Sequence, residues 1–210
     1  MARSVSADDS ADYGLFGSVF NPIHFGHLYA AEAAGDELGL ERVLMVPARV
    51  PPHKDSTDVG PAEDRAAMIR LAIDDNPRLE LSTVELERSG PSYTMETIED
   101  LNSTLGRVPV LILGVDAFEL IRSWYRWEAL VDLVPFALVA RPGYDTSEAT
   151  ELADQIGARV VCLVEDRGVD VSSTLLRRRI DQGKTIRYLT PDPVVEYLAR
   201  RNLYRASGEG

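Results

Sequence analysis

The chain is short of the residues that announce most chemistries. A single cysteine, Cys162, occurs in 210 residues, which excludes an intramolecular disulfide framework and fits a reducing compartment. It lies in the apolar run RVVCLVE, where a buried structural thiol is the expectation. No apolar run approaches the ~20 residues of a membrane span. The start, MARSVSADDSADYG, is polar and acidic, without the character of a secretory signal. These lacks place the expected chain in the cytoplasm, away from the membrane. Basic residues are also scarce: 22 Lys and Arg against 34 Asp and Glu leave a net charge of −12. That balance argues against a partner held by phosphate neutralisation, hence against nucleic acid. A small phosphorylated substrate remains compatible, because a pocket can be basic on an acidic molecule. No G-x-G-x-x-G, serine nucleophile elbow or zinc-spaced cysteine set is present. Gly183-Lys184-Thr185 imitates the end of a P-loop, but the pattern requires glycine where Arg178 stands. Histidine is scarce too, at three.

What is present is an alternation of short apolar runs with amphipathic stretches, the sequence form of a parallel sheet with crossover helices. The runs YGLFGSVF, RVLMVPA, LELSTVELE, VPVLILG, PFALVA and RVVCLVE read as strands. HFGHLYAAEAAGDELGL, PAEDRAAMIRLAIDDNP, the stretch after PSYT, SWYRWEALVDL, SSTLLRRRIDQG and PDPVVEYLARRNLY read as helical. The expectation is one α/β domain over residues 13–204, a mainly parallel sheet of about six strands flanked by helices. Residues 1–12 read as a ragged N-terminus and 205–210 as a frayed C-terminus. Nothing in the pattern fixes an oligomeric state, and a homo-oligomer stays open.

Two of the three histidines fall together in GSVFNPIHFGH, where the first strand gives way to a helix. Ligands of open parallel sheets collect at the carboxyl ends of the strands, and free N–H groups at a helix start suit an anion. His24 and His27, spaced i, i+3, share one helix face there. They could clamp phosphate, bind a metal with His53 as a third ligand, or serve only as helix-start structure. SSTLLRRR repeats the arrangement: Ser172 or Ser173 as N-cap, hydroxyls at the helix start, and Arg177 one turn on. Arg178 and Arg179 read as solvated. Lys54 and His53 lie on a loop after the second strand, at the same end of the sheet. Gly114-Val115-Asp116 puts a carboxylate at the end of the most apolar strand, where it could take ribose hydroxyls. Tyr93, Trp124, Tyr125 and Trp127 could form a flat slot for a ring, or simply core.

The segment Phe20 to His27 resembles the (H/T)-x-G-H motif of the nucleotidyltransferase superfamily, and Val171 to Arg177 resembles its second motif, I-S-S-T-x-x-R. With VPPHK, GPSYTMETI, GVDAF and SWYRWEAL between them, the chain from about Tyr13 to Tyr204 looks like the bacterial nicotinate-nucleotide adenylyltransferases. The resemblance implies a Rossmann-like nucleotidyltransferase domain. It implies transfer of AMP from ATP to nicotinate mononucleotide, giving deamido-NAD and pyrophosphate, with Mg²⁺ carried on the ATP phosphates. It puts His24, His27 and Lys54 at the phosphates, and Arg177, Ser172, Ser173 and Thr174 on the other side of the triphosphate. Gly17, Ser18, Val19 and Phe20 would form the ATP loop. Gly114 and Asp116 would meet the nucleoside, and Tyr93, Thr94 and Trp124 the pyridine ring and its carboxylate. No residue is implied as a metal ligand. Neighbouring readings are the same chemistry on nicotinamide mononucleotide or phosphopantetheine, or a nucleotide-binding module without turnover. The family usually reads G-G-T-F-D-P where this chain has Gly17, Ser18, Val19, Phe20, Asn21 and Pro22. A hydroxyl contact from position 19 is therefore absent, whereas backbone N–H contacts survive.

Overall fold

The computed structural model describes residues 13–52, 59–165 and 168–205. Six strands are joined in one sheet: β1 (Tyr13–Ser18), β2 (Arg42–Pro47), β3 (Leu79–Leu81), β4 (Val110–Gly114), β5 (Phe136–Val139) and β6 (Val160–Val164). Their order is β3-β2-β1-β4-β5-β6 and every pairing is parallel. The chain moves outward from β1 to β3, then returns to the other side of β1 with β4. The crevice between β1 and β4 is thus the topological switch point.

Strand side chains alternate between two apolar layers, as the period of two requires. Phe16, Val43, Met45 and Ile112 face one layer, with α1 (Phe25–Leu38), α2 (Ala62–Ala72), α8 (Ser173–Asp181) and α9 (Asp192–Arg201). Leu15, Leu44, Val46, Leu111 and Leu113 face the other, with α4 (Thr94–Leu105), α5 (Val115–Phe118), α6 (Trp127–Leu133) and α7 (Ser147–Ile156). Both faces are covered, which is why the strands read as continuous apolar runs. Among the described residues no helix is long and apolar enough to cross a membrane.

Three local readings change. LELSTVELE is not one strand: β3 ends at Leu81 and a helical turn, α3 (Val84–Glu87), follows. The turn points Glu85 inward, where Thr97 Oγ1 donates to it at 2.7 Å, and its carboxyl is buried. SWYRWEALVDL is divided. A 3₁₀ turn, Ile121–Ser123, precedes α6, with Arg126 between them in the left-handed region at φ 53°. Arg179 is also less free than a solvated side chain, since its Nε donates to the Thr185 carbonyl at 2.7 Å. Helix α7, which the apolar pattern alone passes over, is the crossover that parallel pairing of β5 and β6 demands. Cys162 sits half-buried on β6, and burial raises its thiol pKa.

Candidate active site

Beyond the carboxyl ends of β1, β4 and β5 lies a cleft of about 710 Å³. It is lined by Gly17, Ser18, Val19, Phe20, His24, His27, Tyr93, Thr94, Gly114, Asp116, Trp124, Ser172, Ser173, Thr174 and Arg177. Lys54, expected beside them, and His53 lie outside the described residues.

Helix α1 begins at Phe25, with His24 as its N-cap residue in extended conformation. One turn separates the two imidazoles, and their rings stack at 3.7 Å between centroids and 21° between planes. Phe20 meets His27 edge-on at 4.9 Å. Parallel stacked rings direct their nitrogen lone pairs side by side rather than to one point, a poor start for a shared zinc ion. Among the described residues no group of three or more His, Cys, Asp or Glu side chains is placed to hold a metal. His24 is 5% exposed. Burial, with the Arg141 guanidinium adding to it, pushes His24 down to about 4. His24 is therefore a neutral donor near pH 7, and among the described residues Arg177 and Arg141 bring guanidinium charge to the cleft.

That depression couples to stability. The unfolded histidine binds its proton near pH 6.5 and the folded one does not until about pH 4. Stability is thus full above pH 6.5 and declines as pH falls through that window, by roughly 3 kcal/mol. Urea unfolding at a series of pH values should show this decline, and His24→Gln should flatten it. Parallel curves for the two proteins between pH 6.5 and 4 would refute the assignment.

Gly26, between the two histidines, lies where the two motifs meet. A Cβ there would lie 3.1 Å from His24 Nδ1 and 3.1 Å from the Val171 carbonyl oxygen. The glycine lets the two motifs touch. Helix α8 then starts from Ser172, whose Oγ accepts the Leu175 N–H at 3.2 Å as an N-cap. Ser173 donates its hydroxyl to the Pro22 carbonyl at 2.8 Å, and Arg177 Nη1 donates to the Asn21 carbonyl at 2.8 Å. A guanidinium carries five N–H donors, so Arg177 keeps others for a ligand.

The loop from β1 to α1 is held by its carbonyl groups. Ser18 O accepts from the Ala48 N–H, Val19 O from Arg65 Nη1 at 2.7 Å, and Ile23 O from Thr190 Oγ1 at 2.9 Å. With Ser173 and Arg177 already on Pro22 and Asn21, the acceptors of this loop are engaged by distant donors. An anion approaching the loop therefore meets fewer bare carbonyl lone pairs, although at the start of α1 the Phe25 N–H is itself given to the Leu189 carbonyl at 3.1 Å and the His27 N–H to the His24 carbonyl at 2.9 Å. Arg65, Thr190 and Arg141 leave no signal in the sequence, because their partners are remote in the chain.

On the β4 side, Asp116 Oδ2 accepts from Arg141 Nη2 at 3.0 Å. Both side chains are largely exposed, and such pairs contribute little to stability, so the carboxylate is available for exchange of partners. Toward α4, the Tyr93 ring stacks on Tyr125 at 4.4 Å. Trp124 lines the cleft and packs on the core edge, while Trp127 packs against the core only. Glu85 also lines this end, its carboxyl raised by burial and lowered in part by hydrogen bonds from Thr97 and Ser92.

Known proteins with this arrangement are numerous. The cytidylyltransferase-like family model matches residues 15–179. A protein of Symbiobacterium thermophilum, "Probable nicotinate-nucleotide adenylyltransferase", is 46% identical over 198 residues, 92% of this chain and 95% of that one. One of the same name from Saccharopolyspora erythraea is 40% identical, over 93% of this chain and 91% of its own. Plasmodium falciparum nicotinic acid mononucleotide adenylyltransferase, solved with NaAD, has the same fold. Its TM-score is 0.74 at 17% identity, over 91% of this chain and 96% of that one. The chain belongs to the cytidylyltransferase-like family, and within it to the nicotinate-nucleotide adenylyltransferases.

Proposed function

We propose that the chain transfers the adenylyl group of ATP to nicotinate mononucleotide, releasing pyrophosphate and forming the deamido dinucleotide used in NAD synthesis. The observation that carries the reading is the meeting of two helix starts at the switch-point cleft. One bears the His24–His27 stack and the other Ser172, Ser173, Thr174 and Arg177. Relatives at 40–46% identity over nearly the whole chain support it.

In the reaction, a phosphate oxygen of the mononucleotide attacks the α-phosphorus of ATP. The bond from that phosphorus to the bridging oxygen breaks, and pyrophosphate leaves. The nucleophile is already largely dianionic at pH 7, since the second pKa of a phosphate monoester is about 6. It needs no protein base. It needs alignment, which supplies roughly 7–11 kcal/mol in favourable cases, and relief of repulsion between anions. His24 and His27 would donate to the phosphates from one side, with Lys54 nearby. Arg177, Thr174 and the N–H groups at the α8 start would grip the triphosphate from the other. Ser173 contributes through its backbone, because its hydroxyl is committed to Pro22. Gly17, Ser18, Val19 and Phe20 would carry the ATP loop, and Gly114 and Asp116 the nucleoside. Tyr93, Thr94 and Trp124 would hold the pyridine end. The side chains around the histidine pair are donors, so Mg²⁺ fits as a partner of the ATP phosphate oxygens, whose charge it neutralises, and not as a protein-ligated ion. The reducing environment implied by a lone cysteine agrees with a cytoplasmic setting.

The test supplies ATP and Mg²⁺ with nicotinate mononucleotide, nicotinamide mononucleotide or phosphopantetheine in turn, and measures pyrophosphate. Nicotinate mononucleotide should be the preferred acceptor. Release with phosphopantetheine alone overturns the acceptor assignment. ATP binding without release in any of the three overturns the enzyme reading.

A further inference from the structure

The wall of the cleft is tied to a segment that no motif includes. After α9 the chain turns back, and Tyr204, with φ 61°, carries its phenol to the β1–α1 loop. Its hydroxyl donates to Asn21 Oδ1 at 2.6 Å, and the same oxygen accepts the Gly60 N–H at 2.9 Å. Gly60 is confined to glycine by this contact, because a Cβ would stand 2.7 Å from the Tyr204 hydroxyl. From Gly60 the connection continues. Its carbonyl accepts from Arg65 Nε at 2.9 Å, and the guanidinium of that arginine donates through Nη1 to Val19 O at 2.7 Å. A closed circuit thus runs Asn21, Gly60, Arg65, Val19 and back along the chain to Asn21, with Tyr204 joined to it at Asn21 Oδ1. Asn21 is 4% exposed and Arg65 1%, so water is a poor substitute for the contacts of these two.

The circuit bears on the cleft through peptide geometry. In a trans peptide the carbonyl and the following N–H point opposite ways. Fixing Val19 O on Arg65 therefore fixes the direction of the Phe20 N–H. Fixing Asn21 through its side chain sets where its carbonyl meets Arg177. Small displacements of reacting groups cost much in rate, because the alignment term is large.

We propose that Tyr204 and Asn21 are positioning residues that hold the β1–α1 loop and Arg177 in register for the reaction. The inference rests on the adenylyl-transfer reading above. Burial pushes the Tyr204 phenol up to about 12, so it remains a donor throughout the working pH range.

Tyr204→Phe removes one hydroxyl and keeps the ring. It should lower kcat about tenfold, with KM for ATP and acceptor nearly unchanged. Asn21→Leu should lower kcat at least as far, and the double variant should lose no more than Asn21→Leu alone, since both remove one contact. Amide hydrogen exchange should quicken across residues 19–27 in Tyr204→Phe and not in the β4–β5 strands. A lowered melting temperature with kcat unchanged would make Tyr204 merely structural, and multiplicative losses in the double variant would separate the two residues. Either result overturns the proposal. A parent chain that releases no pyrophosphate overturns the adenylyl-transfer reading instead. Exchange then decides the brace alone, and unchanged rates across 19–27 refute it.

Discussion

His27→Ala should lower turnover by about 10²–10³-fold while the protein stays folded, the usual loss when one donor to developing charge is removed. The ring is only half-buried, packed on His24 at 3.7 Å and against Phe20 at 4.9 Å. Losing these contacts costs stability on the order of 1 kcal/mol, a shift of roughly 2–4 °C for a domain of this size. The kinetic effect is several times larger in free energy than the structural one, so the two are separable. Turnover per folded molecule, with the folded fraction read from circular dichroism, makes the comparison. A large drop in melting temperature with turnover per folded molecule intact would reassign His27 as a packing residue.

Arg65→Met should do the reverse, with its first effect on stability. Arg65 is among the largest fully buried side chains, at 1% exposure. Its guanidinium donates to Gly60 O and Val19 O, and desolvation lowers its pKa without discharging it. Methionine fills much of the same space but leaves both carbonyls without that donor, at about 1–3 kcal/mol each. It also leaves Glu85, whose carboxylate Arg65 helps to stabilise, with less positive charge nearby. The expected loss is about 3–5 kcal/mol, comparable to breaking a buried ionic contact, and the urea midpoint should fall accordingly. A loss under about 1 kcal/mol would mean that the loop carbonyls find other donors. By contrast Arg201, largely exposed on Asp64, is a weaker target, since Tyr197 also donates to that carboxylate at 2.6 Å.

These two residues also mark what could be read from sequence. His24 and His27 were visible because local rules place them: a strand, a turn, and a helix start with i, i+3 spacing. Ser172 was visible as a cap for the same reason, and its Oγ takes the Leu175 N–H. The alternation of strand and helix was legible because each apolar run obeys its own period. Arg65, Thr190 and Tyr204 were not visible. Their partners Val19, Ile23 and Asn21 are far along the chain, and no local pattern records a hydrogen bond to a remote carbonyl. LELSTVELE reads as one strand because it alternates, yet Glu85 is drawn inward on a helical turn, toward donors on the α4 side. The polar frame of the cleft, unlike its apolar floor, belongs to tertiary structure.

The strand order has a consequence for how the protein is made. β1 pairs with β4, at Gly14 with Val110, and the loop after β1 is completed by Ser173, Arg177, Thr190 and Tyr204. Contacts between segments so distant in sequence form slowly, after the entropy of closing the intervening chain has been overcome. During translation the first histidine motif leaves the ribosome long before the residues that hold its carbonyls. A nascent chain that stops short of them carries the β1–α1 segment without its opposing wall. The β1–α1 segment therefore stays without the donors that hold its carbonyls until the last helices have been made.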